Sequence, residues 1–203
     1  MTDITVYDPV PLDVAAPEPV RPRLLLIATS LVSVAAVMGY AGLLGFYISE
    51  RAAALQRGET WLPDGVVIPL TQPNFMLLTM SLSVVSMLWA VSAVRNEDRG
   101  NAYLAFGLTL VFGFAQIVQT GYLLTIMEMP AAESMQAVLI FALVGIQLVL
   151  TGLAMGYVTV AMLRTLGGGY SPRDYEGVLS ATIFWIMTVG VYIALWYTVY
   201  ITK

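Results

Sequence analysis

The polar side chains best placed to do chemistry inside this chain are three amides. Gln116 and Gln119 stand three residues apart in one apolar stretch, and Gln147 lies in the next. On a helix the first two share a face, which allows either a polar path or ligand site, or hydrogen bonding between helices. The second role is the commoner one in membranes, where such bonds average about 0.6 kcal/mol. Acid–base and metal chemistry have less to work with. The 203 residues include no histidine and no cysteine, so the usual ligands of haem, copper, zinc and iron–sulfur clusters are missing. The side chain best suited to proton shuttling near neutral pH is missing too. Met76, Met80 and Met87 fall on one helical stripe; thioethers can bind haem or Cu(I), but methionine in an apolar helix usually fills space. The triplet Gly167-Gly168-Gly169 lacks a following Lys-Ser/Thr pair, so it reads as a flexible connection and not as a phosphate cradle.

The elements that must position these residues are set by composition. Hydrophobic residues make up 59% of the chain and charged residues 11%, and mean hydropathy is +0.81. Soluble domains carry about 25% charged residues. About 20 apolar residues are needed to cross a bilayer as a helix. Runs of that length occupy residues 24–49, 74–94, 101–127, 134–163 and 177–202, and no interior position carries a charge. The expected fold is therefore all-α: a polytopic bundle of five transmembrane helices over residues 24–203. Charged groups inside spans mark transporters and proton relays, and their absence disfavours a stand-alone small-solute carrier or channel, as does the lack of paired broken helices.

Residues 1–23 form an acidic, proline-rich tail, with Asp3, Asp8, Asp13 and Glu18 among Pro9, Pro11, Pro17 and Pro19. Such a segment is expected to be disordered or extended, and it lacks the basic start and apolar core of a secretory signal. Trp61, Pro63, Pro69 and Pro73 mark residues 50–73 as an interfacial loop. Arg21, Arg23, Arg95, Arg99, Arg164 and Arg173 lie on the tail's side of the membrane, against Arg51, Arg57 and Lys203 opposite. Six against three predicts a cytoplasmic N-terminus and an outside C-terminus. Lys203 is the only lysine and no basic cluster occurs, so nucleic acid is not an expected partner. Small residues mark candidate packing faces: Gly39, Gly42 and Gly45 in the first span, Gly145, Gly152 and Gly156 in the fourth. Such faces allow close backbone approach, within the chain or to another subunit. Trp61, Tyr103, Trp196 and Tyr200 near span ends suit interfacial anchors.

The order of segments resembles subunit III of haem–copper terminal oxidases (cytochrome c oxidase), in its shorter five-helix bacterial form. The residues that carry the resemblance are Tyr40-Ala41-Gly42-Leu43-Leu44-Gly45-Phe46-Tyr47 followed by Glu50-Arg51-Ala52, then Trp61-x-Pro63. Phe112 with Gln116, the pair Gly145 and Arg164, and Trp185 with Tyr192 and Ala194-Leu195 complete it. The chain departs from the family where the family is ionisable. The first-span carboxylate aligns with Ala36 and the third-span Glu with Gln119. The fourth-span histidines align with Gln147 and Leu150, and the fifth-span His and Asp with Ile186 and Val189. The resemblance implies a non-catalytic subunit of a respiratory oxidase in the bacterial inner membrane, binding no cofactor itself. It also implies haem and copper in partner subunits, contact with the haem-bearing subunit I and other oxidase subunits, and structural phospholipid held by the chain. The lost ionisable positions leave room for an accessory protein of a nitric oxide reductase or another membrane oxidoreductase.

Overall fold

Every long apolar run becomes one helix. The computed structural model describes residues 23–62, 66, 68–127, 134–170 and 174–202. Helices α1 (Leu24–Gln56), α2 (Thr71–Arg95), α3 (Arg99–Ile126), α4 (Met135–Leu166) and α5 (Glu176–Leu195) follow in order, and α5 continues directly into a π-helical segment, Trp196–Ile201. All five are long and apolar enough to cross a membrane, and no strand forms among the described residues. The expectations for the acidic tail, including Arg21, and for Pro63, Arg173 and Lys203 lie outside the described residues.

Helix ends differ from the apolar boundaries. Helix α1 runs on through Glu50 and Arg51 to Gln56, because a charge ends an apolar run without disfavouring helical backbone. It stops where Gly58 adopts φ 77° and Glu59 N donates to Ala54 O at 3.1 Å. Helix α2 starts at Thr71 and takes Pro73 into its first turn, where the missing N–H leaves no intrahelical bond unmade. The glycine triplet closes α4: Gly168 has φ 71°, and Gly169 N donates to Arg164 O at 2.9 Å. This is helix-capping geometry. Asp98 accepts from Asn101 N to cap α3, and Ser134 accepts from Ala137 N to cap α4. The start of α1 is capped from a distance, with Leu26 N donating to the Glu176 carboxylate at 2.8 Å.

Helix α5 is the centre of the bundle. It touches α1, α2 and α4, while α2 packs most extensively on α3. In its most apolar stretch 67% of the residues are buried, against 17% for α1, so α1 is a rim helix. Both helices of the α2–α3 pair bury small side chains: Ser83, Ser86, Ala90 and Ala93 on α2, and Ala102, Ala105 and Thr109 on α3. Ser86 and Thr109 share a hydroxyl–hydroxyl bond of 2.7 Å. Close approach of this kind is what small residues allow in membrane helices.

Candidate functional site

Polar groups gather inside the half of the bundle nearest the α1–α2 loop. Tyr47 and Arg51 are one turn apart on α1. The loop folds back so that Trp61 Nε1 donates to Tyr47 Oη at 2.9 Å, with the rings edge to face at 5.3 Å. Arg51 Nη1 donates to Thr202 Oγ1 at 2.8 Å, tying α1 to the end of the π segment. Tyr200 in that segment is fully buried. Trp61 and Tyr200 therefore sit inside the protein and not at a lipid interface, contrary to their reading as anchors. Their aromatic surface is taken up by the bundle once the loop closes over its end.

Toward the middle of the membrane, Tyr192 donates to Pro73 O at 3.0 Å, joining α5 to the start of α2. Gln147 Nε2 donates to Thr188 O at 3.2 Å. Gln119 Nε2 reaches Thr79 Oγ1 on α2 at 3.4 Å. Gln116 is buried beside Tyr192, yet neither of its amide atoms reaches hydrogen-bonding geometry. The three predicted amides thus serve separate seams: Gln119 faces α2, while Gln116 and Gln147 face α5. Deeper along α5, Trp185 Nε1 donates to Ser83 Oγ at 2.9 Å, and its ring closes over Gly113, where an added Cβ would stand 2.8 Å from Cη2.

The candidate glycines behave differently. Gly39, Gly42, Gly45, Gly152 and Gly156 are exposed and Gly145 is half-buried, and a Cβ at any of them would meet nothing within 4 Å. None is a packing contact within this chain, so any docking role belongs to another molecule. The glycines that do pack, Gly113 under Trp185 and Gly177 under Tyr170, escape the sequence reading because they stand outside both stripes. The Ser83, Ser86, Ala90, Ala93 spacing of three, four and three is legible in the sequence and marks a face of α2 that the structure buries.

Metal ligands are not assembled. Among the described residues no three His, Cys, Asp or Glu side chains come together, and Met76, Met80 and Met87 are buried in the apolar core. Charges outside the spans interact locally. Arg57 pairs with Glu59 at 3.0 Å on the surface; the hydrogen bond from Arg57 lowers the Glu59 carboxyl and raises the guanidinium in turn. Asn101 holds the Asp98 carboxyl below its ordinary value through its backbone N–H and then its side chain. At the end where α1 and α5 begin, Arg95 lies over the Tyr175 ring at 5.9 Å.

A comparison with curated proteins bears on this arrangement. The chain is similar to cytochrome c oxidase subunit 3. It is 23% identical to that protein from Gallus gallus over 157 residues, which is 76% of this chain and 60% of the relative. The same subunit of Paracentrotus lividus is 22% identical and that of Struthio camelus 21%, over the same shares of each chain. The chain thus spans about 60% of the length of the curated relatives it matches. No family model matches it. Together with five apolar helices, the similarity supports a distant relation to that subunit in a multi-pass membrane protein.

Proposed function

We propose that this chain is a non-catalytic subunit III of a respiratory haem–copper oxidase. The observation that carries the reading is the similarity to cytochrome c oxidase subunit 3 across 76% of the chain, over a bundle of five spans. Haem and copper belong to partner subunits in this reading, since a chain without histidine or cysteine lacks their usual ligands. Its own contribution is to pack against the haem-bearing subunit and stabilise it. The exposed glycines of α1 and α4 offer faces for that contact, because a partner helix can approach their backbones closely. An open groove of about 480 Å³ between α1 and α5, with Ser33, Val37, Tyr40, Leu44, Met187 and Gly190 among its lining, suits a phospholipid chain. In this reading the chain lies in a bacterial inner membrane, and the arginine balance supports an N-terminus in the cytoplasm.

A second reading draws on Ala36, Gln119, Gln147, Leu150, Ile186 and Val189, hydrocarbon or amide where the resembled family is ionisable. It makes the chain an accessory subunit of a nitric oxide reductase or a related oxidoreductase. One experiment separates the two. The tagged chain is isolated in mild detergent and its reduced-minus-oxidised spectrum recorded with oxygen and nitric oxide consumption. A co-purifying a-type or o-type haem with oxygen uptake supports the oxidase; nitric oxide consumption favours the second reading. A colourless homo-oligomer would sink both.

A further inference from the structure

Eight buried side-chain polar atoms reach no hydrogen-bonding geometry among the described residues, and four of them border α5 between Thr188 and its π-helical end: the Tyr200 hydroxyl, both amide atoms of Gln116, and Gln147 Oε1. Tyr200 and Gln116 are 0% and 1% exposed, so neither lipid nor a docked subunit can reach them. A buried polar atom without a hydrogen bond is destabilising, and natural proteins satisfy nearly all of them. We propose that these groups hold ordered water, forming a hydrated polar column from beneath the α1–α2 loop to mid-membrane.

The geometry lines the groups up along α5. Gln147 bonds to Thr188, and Gln116 lies beside Tyr192 one turn further on. Tyr200 is eight residues beyond Tyr192, which continuous α-helix would rotate about 80° around the axis. The π-helical segment Trp196–Ile201 turns more slowly per residue, as i→i+5 bonding requires, and so reduces that rotation. The Tyr200 hydroxyl is accordingly within electrostatic range of those of Tyr40, Tyr47 and Tyr192.

The mixture of donors and acceptors identifies the ligand. The Gln116 amide offers two donors and an acceptor, Tyr200 one of each, and Gln147 Oε1 only accepts. A cation would need oxygens alone and an anion donors alone; water matches both at once. The buried waters of natural proteins typically make about three such bonds.

The test is hydroxyl-radical footprinting of the full chain, with whatever partners it retains, in lipid nanodiscs. Radicals form from water, so a fully buried residue is labelled only where water sits beside it. Tyr200 and Tyr192 are expected to be oxidised while Met80 and Phe106, equally buried, stay protected despite the high intrinsic reactivity of methionine. Thermal unfolding supplies an independent sign. Removing a hydroxyl that water satisfies should lower Tm in Tyr200→Phe by about 2–4 °C, and removing a dry, orphaned one should raise it. Protection of Tyr200 equal to that of Phe106, or a Y200F chain that melts above wild type, overturns the proposal.

Discussion

Replacing Gly113 by alanine sets two opposed effects against each other, and the structure decides the winner. Glycine inside a helix is less favourable than alanine by about 1 kcal/mol, so in open space the change is stabilising. At Gly113 the new Cβ would stand 2.8 Å from Trp185 Cη2, 2.9 Å from Met155 Cγ and 3.0 Å from its sulfur. Met155 is half-buried and can shift its flexible end. Trp185 cannot: it is 0% exposed and its indole N–H is held by Ser83. Overpacking of a filled core costs about 1–3 kcal/mol, which outweighs the helix gain over most of that range. The net loss is then up to about 2 kcal/mol, a fall in Tm of up to about 8 °C for a chain of this size. Tryptophan fluorescence during thermal unfolding in nanodiscs reads both the melting and any displacement of Trp185. Gly39→Ala and Gly152→Ala, where nothing lies within 4 Å, serve as the open-space controls and should melt at or slightly above wild type. A Gly113→Ala chain as stable as these controls would refute the reasoning.

The remaining predictions concern the polar contacts. A double-mutant cycle on Ser86→Ala and Thr109→Val, read by thermal unfolding, should give a coupling near 0.6 kcal/mol and no more than about 1.7 kcal/mol, for their 2.7 Å bond. Glu176→Ala should destabilise the amino-terminal turn of α1 by about 1 kcal/mol through loss of its distant cap at Leu26; Glu176→Gln keeps an acceptor and should cost less, and hydrogen exchange at Leu26 distinguishes them. Because the Asp98 carboxyl is held below its ordinary value, its contribution is present above the unfolded carboxylate pKa of about 3.9 and is lost as pH falls through the lower folded value. Melting curves on the acid side should thus show a decline that Asp98→Asn removes. In the proposed complex, Gly39→Leu with Gly42→Leu should leave the isolated fold intact but release a partner docked on α1, measured as haem recovered per tagged chain.

Five spans are legible because an ionised group in hydrocarbon is costly, so uncharged runs of sufficient length have one outcome. The boundaries are less legible. Glu50 and Arg51 close the first apolar run, yet helix α1 passes through them to Gln56, since its last turns can reach water and protein partners. Pro73 suits a loop by residue type, but a helix tolerates proline in its first turn. The glycine stripes fail as a guide to internal packing for a different reason. Alanine and serine allow nearly the same approach, and the buried face of α2 uses those at Ser83, Ser86, Ala90 and Ala93.

The sequence by itself determined that this chain crosses a membrane five times, carries no histidine or cysteine ligand and holds its polar groups as amides and hydroxyls. Apart from the small-residue spacing on α2, only the tertiary structure decided which side of each helix is interior. In water an amphipathic pattern announces the buried face. In lipid both faces are apolar: Phe114 is exposed while Phe106 is buried on the same helix, and hydrophobicity alone does not separate them. Selection among equally apolar faces falls to packing and hydrogen bonds between distant residues, such as Trp185 on Gly113 and Ser83, or Arg51 on Thr202. Those contacts place α5 at the centre, bury Tyr200 and Gln116, and leave the glycines of α1 facing outward.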